Sequence, residues 1–274
     1  MKKVFSFLAI LAMVGFVGCN KPAASDNKAN DNKDKEEQGQ QGGEEGGEEG
    51  GEEGGEEGGE TEISIKLDGD FSDWAAIDAS KLASCTLQAA DTWAYPEIKS
   101  FKVYADELFV YCAVEFNKDV LEPDPANESG SHFALYINGD NDENTGGYAG
   151  QWLFNDDKYC IDVLVMGAYF YGEEGWINNL ECEVYTWSGE ANTDGWSWEP
   201  SDVSGFAEGY CSPNGMEFCL TRDLYPGSKF ADEFTIGAQL QTNGWDATGA
   251  LPNGEPSDDN PSGKAPLLKV TVNK

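Results

Sequence analysis

From Leu108 to Phe116 the chain alternates: Leu108, Val110, Cys112, Val114 and Phe116 fall on one side, and Phe109, Tyr111, Ala113 and Glu115 on the other. A period of two is the pleat of a β-strand with one buried face, not the 3.6-residue repeat of a helix. The run from Ile98 to Tyr104, separated from it by Ala105-Asp106-Glu107, reads as its hairpin partner. Further short apolar runs predict strands at Ile63 to Leu67, Phe133 to Asn138, Tyr159 to Val165, Leu180 to Thr186, Met216 to Leu220, Phe234 to Gln241 and Leu267 to Val272. Turn formers such as Asn138-Gly139-Asp140-Asn141, Pro213-Asn214-Gly215 and Pro252-Asn253-Gly254 fill the gaps. Only Ala75 to Ala83 leaves room for a turn or two of helix. The pattern predicts an all-β fold, an antiparallel β-sandwich with a jelly-roll-like arrangement rather than a closed barrel.

Nothing before Ile63 can join that core. Residues 19–62 hold no aromatic or branched apolar residue, and from Gly42 to Glu60 they repeat Gly-Gly-Glu-Glu. Such a segment stays solvated, and its glutamates repel one another; a Gly-rich coil of this length spans about 35 Å. It reads as a tether. Ahead of it, Lys2 and Lys3 precede an apolar stretch from Val4 to Val17 that ends at Gly18-Cys19. That stretch is shorter than the roughly 20 residues of a membrane-spanning helix and has the layout of a signal peptide over residues 1–18. The small residue before Cys19 resembles the lipobox of bacterial lipoproteins, which implies lipidation of Cys19 by chains such as palmitate and attachment to a membrane. Acidic residues shortly after the cysteine, here beginning at Asp26, resemble surface-export signals of lipoproteins from the Bacteroides group. The expected location is therefore the outer membrane of a Gram-negative cell, on its external face.

Residues 63–274 remain as one expected domain. Of the 51 acidic residues 36 lie there, against 11 of the 17 basic ones, so this part carries −25 of the formal charge. That field repels nucleic acid, and with Arg222 as the sole arginine a bidentate phosphate site is not expected. Cys85, Cys112, Cys160, Cys182, Cys211 and Cys219 form an even set, which in an exported protein allows three disulfides of unspecified pairing; core thiols are the alternative.

The segment Lys66-Leu67-Asp68-Gly69-Asp70-Phe71-Ser72-Asp73-Trp74 resembles the opening strand and turn of family 9 carbohydrate-binding modules. Ile98 to Phe116 resembles the strands that follow, Phe133 to Gly147 a strand ending in an acidic Gly-rich loop, and Phe234 to Asp246 a late strand with its loop. The resemblance implies a β-sandwich that holds sugar between aromatic side chains, often with structural calcium. By position Trp152 and Trp245 resemble the clamp residues, and Gln151, Asn243 and Asp246 flank them.

All eight tryptophans lie after residue 62, and stacking of an indole on a pyranose face is the physical case for sugar binding. Trp74, in the opening motif, is expected to plug the core. Trp176, Trp196 and Trp198 occupy a Gly- and Glu-rich stretch and form a second candidate patch, for sugar or for a surface protein partner. Asp140, Asp142 and Asn144 alternate oxygen ligands as a calcium loop does, though Thr145 and Gln151 replace the glycine and glutamate of an EF-hand. The expected function is non-catalytic polysaccharide or oligosaccharide binding. The alternatives are an adhesive or structural surface protein and, less favoured, a glycoside hydrolase, since paired carboxylates are unavoidable among 36 acids. His132 has no Gly-x-Ser-x-Gly elbow near it, and no serine triad is expected.

Overall fold

The computed structural model describes residues 63–123, 126, 130–154, 160–193, 195–201, 205–224 and 229–274. The signal peptide, Cys19 and the tether lie outside the described residues, as does Tyr159. In chain order the strands are β1 (Ala83–Thr86), β2 (Ile98–Ala105), β3 (Phe109–Phe116), β4 (Ser131–Asn138), β5 (Val163–Tyr171), β6 (Gly175–Trp176) and β7 (Asn179–Leu180). They continue with β8 (Glu183–Trp187), β9 (Trp198–Pro200), β10 (Ala207–Ser212), β11 (Gly215–Thr221), β12 (Glu233–Gln241), β13 (Ala247–Leu251) and β14 (Leu268–Thr271).

Two antiparallel sheets result. One runs β1-β2-β3-β11-β10-β7 and the other β13-β12-β4-β5-β8-β9, with β14 sharing the outer edge of β12 and β6 paired to β5. Alternation decides the facing. Phe101, Val103, Val110, Cys112, Val114 and Phe218 from the first sheet meet Phe133, Leu135, Ile137, Val165, Ile236 and Leu240 from the second in one buried core. Rings interlock across it: Phe133 and Phe218 lie 4.9 Å apart and Phe116 and Tyr169 5.5 Å apart. Each such ring contributes about 1.5–3 kcal/mol by leaving water.

The outer face of the first sheet is capped by the opening motif. Glu217 on β11 is fully buried and accepts from Asp68 N at 3.2 Å, Gly69 N at 2.8 Å and Trp74 Nε1 at 2.8 Å. Those three donors satisfy a carboxylate whose acidity burial weakens. Gly69 has φ +76°, and a Cβ there would sit 2.7 Å from Ser212 Cβ, so the turn admits only glycine. Trp74 is thereby a core plug at 1% exposure.

Several elements differ from expectation. Ile63 and Ile65 do alternate inward, onto Trp74, but the segment forms no strand because Lys66 N is held by Asp73 Oδ2 at 2.8 Å. Leu108 lies in the turn before β3 and is 67% exposed, its N–H capped by Asp106 Oδ1. Leu180 to Thr186 is two strands in two sheets: β7 pairs β10 and β8 pairs β5. The chain crosses at Glu181-Cys182, over Gly167, where a Cβ would meet the Glu181 carbonyl at 2.2 Å. The expected helix is two 3-10 turns, Asp73–Ala76 and Ala79–Lys81. None of Cys85, Cys112, Cys182, Cys211 and Cys219 is in a disulfide. Burial pushes the Cys85, Cys182 and Cys211 thiols up to about 12 and Cys219 to about 11, so they remain protonated core groups.

Candidate functional site

The second sheet turns His132, Ala134 and Tyr136 of β4 away from the core, with Leu164 and Met166 of β5 and Gln239 and Gln241 of β12 beside them. Register sets these in rows: Gln241 opposite His132, Gln239 opposite Ala134, Tyr136 opposite Leu164. Three loops rise around this surface and carry Trp152, Trp196 and Trp245. Together with Tyr136, Leu164, Met166 and Gln241 they enclose a cleft of about 260 Å³.

Exposure sets these indoles apart. Trp245 is 65% exposed, Trp196 66% and Trp152 40%. An indole gains most by leaving water, so three left exposed around one depression form an apolar patch that invites a covering partner. Their supports are rigid. Trp245 has φ +68°, a conformation rare for a bulky residue that costs about 1–3 kcal/mol. Its turn is held by Trp245 N donating to Thr242 O at 3.0 Å, and by Gly244 N and Asp246 N donating to Thr242 Oγ1. The ring stacks on His132, centroids 6.1 Å apart and planes 22°. A register slip between Leu240 and Gln241 falls at the start of the same turn.

Trp196 and Trp152 are linked from below. Trp196 meets Trp198 edge-on at 6.4 Å, and Trp198 meets Trp187 the same way at 5.3 Å. Trp198 is buried and donates from Nε1 to Tyr148 O at 3.0 Å, while the Tyr148 ring leans on Trp152 at 5.6 Å.

The floor supplies hydrogen-bonding capacity. Tyr136 Oη donates to Gln239 Oε1, but Gln239 Nε2 and Gln241 Nε2 have no partner. Gln241 is 3% exposed and lines the cleft. A buried amide donor left unmade costs about 1–3 kcal/mol, which a ligand oxygen would recover. Among the described residues no carboxylate lines this cleft.

The other expected residues lie elsewhere. Trp176 stacks on Phe116 and Tyr169 at 5.6 Å and 6.1 Å and meets Phe170 edge-on, so it packs against the core. Asn243 is exposed beside a separate cavity of about 250 Å³ that Gln241 also lines. Asp246 is exposed on the Trp245 turn. Gln151 is half-buried; its backbone carbonyl accepts from Lys264 Nζ at 3.1 Å, and its Oε1 has no partner. The Asp140 loop is closed on itself. Thr145 Oγ1 donates to both Asp140 oxygens, and Asp142 Oδ1 accepts from Asn144 N and Nδ2. No group of three or more His, Cys, Asp or Glu side chains that could hold a metal ion forms among the described residues.

Tyr136, Met166, Gln239 and Gln241 were not singled out from the sequence, although two glutamines at outward positions of an apolar strand are a readable signal. No protein-family model matches the chain, and no curated protein does either. Among solved structures, a carbohydrate binding module family 9 from Caldicellulosiruptor kristjanssonii in complex with cellotriose is similar at 11% identity and a TM-score of 0.37. The match covers 76% of this chain and 89% of that one.

Proposed function

We propose that the domain binds a glycan chain non-catalytically in the cleft on the outer face of the second sheet. The observation that carries this reading is the set of three exposed indoles around an unpaired, buried Gln241 amide. Apolar C–H faces of pyranose rings stack on Trp152, Trp196 and Trp245, and ring or glycosidic oxygens accept from the glutamine floor. The aromatic surface is prearranged by the His132, Tyr148 and Trp198 supports, so little ordering cost falls on binding. The chain is further proposed to be a lipoprotein anchored through Cys19, displaying this domain at the outer-membrane surface on its tether. The test is a screen of neutral, cationic and anionic glycans against the full chain, followed by Trp245→Ala and Trp196→Ala. Saturable binding weakened roughly 30-fold by either substitution is expected, since a central aromatic anchor contributes about 2 kcal/mol. Binding that neither substitution alters would refute the site.

A further inference from the structure

His132, whose ring stacks on Trp245 of the aromatic cleft, lines a second cleft of about 310 Å³. Its walls carry Glu174 from the β5–β6 turn, Glu181 from the crossover and Glu183 from β8, with Tyr171 at the rim. The two clefts abut. Glu183 pairs across the sheet with Met166, which lines the aromatic cleft, and His132 stacks on Trp245. Gln241, whose buried amide has no partner, sits opposite His132 at the junction.

Among the described residues no lysine or arginine lines the acidic end, no ion pair uses these three glutamates, and of the three only Glu183 has a side-chain partner, accepting from Tyr185 Oη at 2.8 Å. Burial lowers the basicity of His132, with the charge of Glu183 opposing. The carboxylates are not grouped for a metal ion. The three line one cleft together, as suits a ligand that carries more than one positive charge.

We infer that the acidic cleft continues the sugar groove and selects glycans bearing free amino groups, polymers of 2-amino sugars. This rests on the aromatic cleft binding sugar; rings stack at the tryptophans while protonated amines of neighbouring units donate to Glu181 and Glu183. Like charge along the same wall repels uronic-acid polymers.

The experiment is calorimetric titration of the full chain at mildly acidic pH with three β-1,4 tetramers: glucosamine, N-acetylglucosamine and glucose. The amino tetramer is expected to bind about tenfold tighter than either neutral one, a preference that shrinks at high salt. In Glu181→Gln/Glu183→Gln, checked for an unchanged thermal melt, the ratio of amino to neutral affinity falls to about one. Equal affinities for all three tetramers, or a preference that survives the double substitution, would overturn the inference while leaving the aromatic cleft intact. Binding of a pentalysine peptide as tight as the amino tetramer would reassign the groove to a basic protein segment. If no tetramer binds, the sugar reading itself fails and this inference with it.

Discussion

Asp162 lies just before β5 at 5% exposure and accepts from Gly139 N at 2.8 Å. Burial, with the charge of nearby Asp140 adding to it, raises its carboxyl from 3.8 to about 7. An acid whose folded value is raised stabilises the fold less as pH climbs from its unfolded to its folded value, because the folded form holds the proton longer. Over that window the loss is at most about 1.4 kcal/mol per pH unit. Melting of the chain should therefore rise as pH falls from 8 towards 5, and Asp162→Asn should flatten that slope; a slope unchanged in the variant would show that other groups set it. Glu97 and Glu217 are raised by burial too, so the variant reduces the slope without erasing it. Calcium belongs to the same scale. Because the Asp140 loop spends its oxygens on Thr145 and Asn144, millimolar calcium or chelator should leave the melting temperature where it is, and a calcium-dependent rise would mean that the loop reopens around the ion.

At the scale of elements, the strands with strict alternation were legible and those built from small or polar residues were not. Val110, Cys112 and Val114 announce β3 because each inward position is apolar, whereas Ala207–Ser212 and Ala247–Leu251 are strands of alanine, glycine and polar residues that pair only because β11 and β12 offer an edge. The break between β7 and β8 was invisible: nothing in Leu180 to Thr186 says that Leu180 belongs to one sheet and the four residues Glu183 to Thr186 to the other, with the crossover passing over the distant Gly167. The opening motif was readable as a plug, but its partner Glu217 was one acid among many. Trp74→Phe should keep the packing and remove one donor from that carboxylate, costing about 1–3 kcal/mol in a chemical unfolding experiment, and Trp74→Ala about 3–5 kcal/mol. A cost near zero for Trp74→Phe would mean that the Glu217 bond contributes nothing, and equal costs for the two variants would mean that the packing of the ring contributes nothing. Trp176→Ala should also unfold more easily while leaving glycan affinity unchanged, because its ring lies among Phe116, Tyr169 and Phe170.

For the whole molecule, charge and aromatics divide the work. A formal −34 over the chain gives a field that disfavours anionic partners, while the indoles gather where the second sheet is left open. The sequence order of the tryptophans hides that gathering: Trp152, Trp196 and Trp245 come from three loops far apart in the chain, and Trp196 shares its stretch with Trp198, which points into the packing beneath. Trp152 and Trp245 could be singled out by position, Trp196 only as one of a group, and the glutamine floor not at all. The most direct test is indole N–H NMR of the chain with labelled tryptophan, titrated with the tightest glycan of the screen. Resonances of Trp152, Trp196 and Trp245 should shift saturably together while those of Trp74 and Trp198 stay in place; shifts confined to Trp176, or none at all at saturating glycan, would contradict a sugar site in this cleft.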